Sequence, residues 1–362
     1  MPQAFTIAAS TVVTPAGLLE PGEVVVSDGV IEDVRQARGP APVRILAPGF
    51  VDLQVNGHDD VDCASADGDD WDRIDDLLVA QGVTGWCPTL VTAPLDRYAA
   101  PLARITGAAA RRRPGRPAIL GAHLEGPFLG GAPGAHRREH IVPIDLDWLA
   151  ALPPIVKVVT LAPELEHAAD AVRLLTKRHV LVSLGHSTAT CEQATEATDA
   201  GARLVTHLFN AMGPLHHRRP GLLGAALADD RLTPSLIADG VHVDPAALRV
   251  TARAKGPGGW CLVTDAVAWR HGRLAEGRVT MIDGAPRLAD GTIAGSALTM
   301  DAAVRRMVEE AEVPLDQAIA AATSTPARLL GLGDRGRILP GCRADLVALS
   351  TDLRVEEVWI AP

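Results

Sequence analysis

The pattern of hydrophobic and polar positions changes twice along the chain. In residues 1–47, short apolar runs alternate with turn clusters. FTIAASTVV, EVVVSDGVIEDV and PVRILAP are broken by PAG, EPG, SDG and RGPAP. Runs rich in β-branched residues and bounded by Gly, Pro and Asp predict strands. No helix-length period occurs there. The last stretch, GRILPGCRADLVALSTDLRVEEVWIAP, follows the same pattern, with strands expected in RADLVALS and VEEVWI. The two β-rich ends, 1–47 and 335–362, are expected to pair as one small discontinuous β-sandwich domain around a central unit, 48–334.

The middle alternates between two periods. WDRIDDLLVAQG, LDRYAAPLARITGAAARR, HAADAVRLLTKRH and TCEQATEATDAG carry helical spacing. TGWCPTLV, PAILGAHLEG, IVKVVTLAPE, LVSLGHS, ARLVTHLFNAM, PSLIADG and GWCLVTDAV are apolar runs of strand length. Strands interleaved with helices predict βαβ units and a parallel sheet. Seven or eight such strands point to an α/β fold of the (β/α)8, TIM-like barrel type. An open doubly wound sheet is the alternative. No GxGxxG or GxxxxGK[ST] loop opens an early helix, which disfavours the dinucleotide-binding and P-loop versions of that sheet.

Composition narrows the picture further. Of 362 residues, 47% are hydrophobic and 22% charged, which suits a globular protein with a large core. The formal net charge of −10 argues against nucleic acid or an anionic membrane surface as a partner. Five widely spaced cysteines without a CxxC do not form a disulfide framework or a zinc ribbon. No signal peptide and no apolar run of bilayer-spanning length is evident. A cytoplasmic location is expected.

In a parallel barrel, chemistry gathers at the C-terminal ends of the strands. Polar residues recur at that place. Gln54 and Asn56 follow the run of APGFVDLQVNG, two apart and so on one face. Glu125 closes AHLE, His186 follows LVSLG, His207 and Asn210 follow RLVT, Asp239 and His242 follow SLIA, and Asp265 follows CLVT. Each alone has an ordinary structural reading: a hydrogen-bonded histidine, an N-cap, a turn former. Together they read differently. One Glu and two His from different strands fit a divalent transition-metal site with positions left for water. Asp265, on a later strand, is then placed to take a proton from that water.

The segments APGFVDLQVNG, HLEGPFL, PGAH, LGHS, THLFNAM, PGLLGAAL, IADGVHVD, LVTDAVA, IAGSALTMDAAV, ATSTPARLLGL and GCRADLVALS run in this order through nearly the whole chain. The series resembles the N-acetylglucosamine-6-phosphate deacetylases of the amidohydrolase superfamily. The resemblance implies a TIM-like barrel, a small β-sandwich from both termini, and a homodimer. It implies that Glu125, His186 and His207 bind one divalent metal ion, zinc first, with iron or another divalent ion as the alternative. It implies that Asp265 is the catalytic acid/base and that His136 contacts substrate and stabilises the oxyanion. It assigns Asn210, Ala211 and His242 to the sugar, and Arg218, beside Arg219, to a phosphate reached across a dimer. The implied partner is a small amino sugar phosphate.

Two departures from the family pattern stand out. Where many amidohydrolases carry His-x-His and a second metal, this chain has Gln54-x-Asn56, and neutral amides are poor ligands. Lys157, in IVKVV, is expected to snorkel rather than bridge metals. One metal is therefore expected, although His58, Asp59 and Asp60 directly follow the Gln-x-Asn strand. The second departure is Trp269, Arg270 and His271, bulky and polar where the family is usually small. The expected reaction is metal-dependent deacetylation of N-acetylglucosamine-6-phosphate. The alternatives are N-acetylgalactosamine-6-phosphate, an unphosphorylated N-acetyl amino sugar, or a non-catalytic sugar-phosphate sensor.

Overall fold

The computed structural model describes residues 4–111, 114–272, 274–275 and 277–362. The central unit is a parallel barrel. Its strands, in chain order, are Phe50–Val55, Val83–Val91, Ala118–Ile119 continued by Ala122–Glu125, Val156–Leu161, Leu181–Leu184, Leu204–Val205, Thr233–Leu236 and Cys261–Leu262. Each pairs in parallel with the next. The last returns to the first: the Asp265 N–H donates to Gln54 O at 2.9 Å, and the Asn56 N–H to Ala266 O at 2.9 Å. The closing seam is reinforced by Asp52, whose carboxylate accepts from the Thr264 N–H and hydroxyl. All six residues of Phe50–Val55 are buried, as expected where a parallel strand is covered on both faces.

The surrounding helices form where local signals agree with the barrel. Cys191–Ala200 opens with a reciprocal capping box between Thr190 and Gln193. Pro245–Lys255 has Asp244 as its cap and Pro at its first turn. Ala168–Lys177 buries Ala168, Ala171, Val172 and Leu175, the i, i+3, i+4, i+7 stripe that faces the strands. Their apolar faces join the strands in one core that includes Trp86 and Trp260. No helix among the described residues is long and apolar enough to cross a membrane.

The two ends of the chain meet in a seven-stranded sheet. Its order is Val355–Trp359, Leu346–Leu349, Val43–Pro48, Ala4–Thr14, Gly22–Ser27 and Val30–Gln36, with Gly17–Leu19 paired to the long strand. It has its own apolar cluster, in which Ile7, Val24 and Ile31 from the N-terminal segment meet Ile338 and Leu346 from the C-terminal one. Asp345 ties the C-terminal segment together. It is buried, binds Arg335 at 2.5 Å and Arg343 at 3.2 Å, and accepts from the Ala361 N–H.

Three expected elements differ in detail. The third barrel strand is interrupted at Gly121, where a Cβ would lie 2.2 Å from the Lys157 stem. The strand expected over ARLVTHLFNAM pairs only at Leu204–Val205, because His207, Phe209 and Ala211 adopt positive φ and turn the chain across the barrel mouth. The helix expected from Leu95 begins as a separate turn, Leu95–Arg97, before Ala99–Ala110. Arg112, its expected last residue, lies outside the described residues.

Removing Asp345 leaves two partly buried guanidinium groups without their shared carboxylate. Asp345→Ala is expected to destabilise the protein by about 3 kcal/mol. A clear fall in the urea unfolding midpoint checks this.

Candidate active site

The HLEGPFL segment ends the third barrel strand. Leu124, Phe128 and Leu129 are buried in the core, and Glu125 is buried at the mouth. The break that follows is a steric requirement. Gly126 has φ +97°, and a Cβ there would sit 2.2 Å from Thr92 Oγ1.

Two further strand ends bring imidazoles onto this carboxylate. Glu125 Oε1 lies 3.2 Å from His186 Nε2 and 3.1 Å from His207 Nε2, and the two nitrogens are 3.0 Å apart. Both histidines hold the left-handed backbone region, at φ 49° and 28°, as does Asp265 at 50°. Such conformations cost about 1–3 kcal/mol each and persist where surrounding bonds fix them. Here the Gly130 N–H donates to His186 O at 2.8 Å, the His207 N–H to Ser235 Oγ at 2.9 Å, and the Ser296 N–H to Asp265 O at 2.9 Å.

Gln54 and Asn56 join the carboxylates. The Gln54 amide N–H2 donates to Glu125 Oε1 at 2.8 Å and to Asp265 Oδ1 at 3.0 Å, while its own oxygen accepts from Thr206 at 2.9 Å. Asn56 donates to Asp265 Oδ1 at 2.7 Å. Both amides thus act on one oxygen of Asp265 and leave Oδ2 outside these bonds. His136 reaches over from the loop after Glu125. Its Nε2 lies 3.8 Å from Glu125 Oε2, and its ring packs edge-on against His186. Its Nδ1 accepts from the Thr92 N–H at 3.4 Å, which places the proton of the neutral ring on Nε2.

The electrostatics follow from burial and contact. Burial opposes ionisation of Glu125, yet hydrogen bonds from His186 and His207 hold its carboxyl well below the usual range. Burial and the neighbouring Glu125 push Asp265 up to about 7. Burial, with His186 adding, pushes His136 down to about 3, so it is a neutral hydrogen-bond donor. A carboxylate and two imidazole nitrogens with lone pairs converging within 3.2 Å of one another repel unless a proton or a cation sits among them. Tetrahedral ligands about 2.0–2.1 Å from one ion are about 3.3 Å apart. Glu125, His186 and His207 therefore fit a divalent ion. Glu125, His136 and His186 form a looser set, within 4.8 Å of one another. The tighter triangle is the better match.

A cavity of about 300 Å³ opens over these groups. His242, Asn210, Ala211, Ile237 and the segment from Gly291 to Gly295 are in its wall. The His242 Nδ1–H donates to Asp239 Oδ2 at 2.6 Å. The Asn210 amide donates to His207 O and Leu208 O. A larger cavity of about 400 Å³ lies against the start of the third strand and carries no such metal-ligand cluster among the described residues.

The remaining expected residues lie elsewhere. Arg218 is on an exposed loop and does not line this cavity within one chain. His58 is buried beside Gln81, 3.3 Å away. Asp59 is paired with Arg270 and Arg73, and Asp60 with Arg73 at 3.3 Å. Their carboxylates are neutralised by arginines. Arg270 stacks over Trp269, and Trp269 packs against the small cluster that holds Val267 and Ala294, two residues of the cavity lining.

Sequence reading gave no role to His123 or Asp52. His123 lies two residues before Glu125 on the same strand face, one layer deeper. It bonds Leu53 O at 3.0 Å and Thr160 Oγ1 at 2.8 Å. Asp52 precedes Gln54 by the same step, and this period-two spacing was the available signal. Burial pushes Asp52 up to about 7.

Residues 45–361 match the amidohydrolase family. The chain is 40% identical to the N-acetylgalactosamine-6-phosphate deacetylase of Escherichia coli O157:H7, over 97% of each chain. It is 42% identical to the N-acetylglucosamine-6-phosphate deacetylase of Bos taurus, over 88% of this chain and 82% of that one. Among solved structures, the N-acetylglucosamine-6-phosphate deacetylase of Thermotoga maritima superposes with a TM-score of 0.91 at 32% identity, covering 99% of this chain and 98% of that one. A mutant of the Mycobacterium smegmatis enzyme in complex with N-acetyl-D-glucosamine-6-phosphate gives 0.90 at 35% identity, with the same coverage.

Burial holds the His123 imidazole neutral and pushes its pKa down to about 4, from an ordinary 6.5. Its stabilising contribution is complete above pH 6.5 and is lost as pH falls toward 4. From this residue alone, the protein is expected to lose about 2 kcal/mol between pH 7.5 and pH 5. Denaturation of wild type and His123→Leu at both pH values tests this, since the variant lacks that component.

Proposed function

Since the chain belongs to the amidohydrolase family, we propose that it removes the acetyl group from N-acetylglucosamine-6-phosphate, releasing acetate and glucosamine-6-phosphate. The observation that carries this reading is the convergence of Glu125 Oε1, His186 Nε2 and His207 Nε2 beside a buried Asp265 at the floor of one cavity. Glu125, His186 and His207 would hold a single divalent ion, zinc or iron. Such an ion supplies Lewis acidity toward water and the amide carbonyl. Gln54 takes the place of a second cation, because its amide protons already satisfy Glu125 and Asp265.

The protein's own groups then divide the work. Asp265, with a pKa pushed up to about 7, is poised to take a proton from the attacking water and pass it to the departing amine. Gln54 and Asn56 fix Oδ1, so Oδ2 is the oxygen that carries the proton. His136, neutral with its proton on Nε2, donates to the oxyanion as the carbonyl becomes tetrahedral. His242, oriented by Asp239, and the backbone at Asn210 and Ala211 bind the sugar. Arg218 and the neighbouring Leu215 are exposed, and a homodimer would carry Arg218 toward the partner's phosphate.

N-Acetylgalactosamine-6-phosphate is a second reading, favoured by the name of the Escherichia coli relative. The two sugars share the acetamide and the phosphate and differ in one hydroxyl configuration, so the same machinery serves both.

Acetate release from both sugar phosphates and from unphosphorylated N-acetylglucosamine, before and after chelation, tests the proposal. Metal-dependent release from N-acetylglucosamine-6-phosphate is expected; turnover that survives complete metal removal contradicts it. Asp265→Asn is expected to lose about 100- to 10,000-fold in kcat while retaining metal. Glu125→Gln is expected to lose metal on dialysis.

A further inference from the structure

We propose that Arg287 is a phosphate-binding residue of this site, supplied by the same chain that supplies Glu125 and Asp265. The inference rests on the sugar-phosphate reading above. Arg287 is the one Lys or Arg among the described residues lining the active-site cavity. The other ionisable groups there are two carboxylates, Glu125 and Asp265, and four histidines. A phosphate entering such a cavity meets negative charge on the floor and needs a cation on the wall. Guanidinium offers paired donors to phosphate oxygens.

The side chain is available for this. Among the described residues no carboxylate lies within 4.0 Å of Arg287, whereas Arg270 is ion-paired with Asp59. Its one side-chain hydrogen bond among the described residues runs from Nη1 to Gly291 O at 3.0 Å, between two residues that line the cavity.

Its backbone is fixed on both sides. Arg287 pairs with Thr280 across the hairpin Thr280–Ile282/Ala285–Arg287 and with Ile293 on its other edge. The segment beyond Ile293 leads to Ser296, whose N–H donates to Asp265 O at 2.9 Å and whose hydroxyl donates to Thr264 O at 2.6 Å. One short segment therefore connects Arg287 to the backbone of Asp265. In the substrate, the acetamide and the phosphate sit at separate positions of the sugar ring. A segment that carries the anion-binding group and also braces the acid/base sets the phosphate in register with the scissile amide.

Steady-state kinetics of wild type, Arg287→Met and Arg287→Lys test this, with N-acetylglucosamine-6-phosphate and unphosphorylated N-acetylglucosamine as substrates. For Arg287→Met, KM for the phosphorylated sugar is expected to rise about 10- to 100-fold. Its kcat, its metal content and its kcat/KM for the unphosphorylated sugar stay near wild type, and Arg287→Lys recovers part of the loss. An unchanged KM, or an equal loss on both sugars, overturns the proposal. Absence of turnover in the wild type on any N-acetyl sugar would sink the substrate reading. Arg287 would still be judged by thermal unfolding of the metal-loaded protein with inorganic phosphate. Stabilisation of wild type but not of Arg287→Met supports the anion site; equal stabilisation of both, or of neither, overturns it.

Discussion

A carboxylate buried at the mouth of an apolar barrel is tolerated only if positive charge or hydrogen-bond donors converge on it. Glu125 imposes that constraint here, and much of the local architecture answers it. Two strand ends turn into strained backbone to aim His186 and His207 at one oxygen, and a third contributes the amide of Gln54 to the same oxygen. The arrangement remains electron-rich: two imidazole nitrogens 3.0 Å apart cannot both present lone pairs to each other without something positive between them. Their spacing is that of ligands around one small ion.

Barrel closure delivers the second half of the site. Asp265 stands beside Glu125 because the last strand returns to the first, and Asp52, Gln54 and Asn56 stitch that seam with side-chain bonds. Two carboxyls in one buried pocket cannot ionise equally well. The histidines stabilise the charge on Glu125, while burial, with Glu125 adding, raises the pKa of Asp265. Environment alone thus suits one carboxyl to the ligand role and the other to the proton-carrying role proposed for them.

Much of this was legible in the sequence. Apolar runs ending in Glu125, His186, His207 and Asp265 announced both the parallel barrel and the edge on which its chemistry sits, because strand ends are where a barrel exposes polar groups. Other parts were not. GLLGAALA forms the helix Gly221–Ala228, but it is apolar all round and has no polar face to betray a helical period. Pro245–Lys255, Met300–Glu309 and Leu315–Ala322 also went unassigned, although Asp244-Pro245 marks a helix start. Arg287 was silent because nothing local distinguishes an arginine that lines a cavity from one in water; only the long-range bond from Ser296 to Asp265 brings its hairpin to the site. His58, Asp59 and Asp60 illustrate the converse. Directly after the Gln-x-Asn strand they offered a weaker second metal site only as the minor alternative to one metal, and contacts with Gln81, Arg73 and Arg270 give them structural partners.

The chemistry of the site depends on whether Glu125, His186 and His207 hold one ion. Anomalous diffraction at the absorption edge of the metal identified in purified protein tests that most directly. The predicted result is one peak per chain, about 2.0–2.2 Å from Glu125 Oε1, His186 Nε2 and His207 Nε2. A peak centred on His136 without His207, or a second peak of equal weight at Gln54 and Asn56, would contradict it.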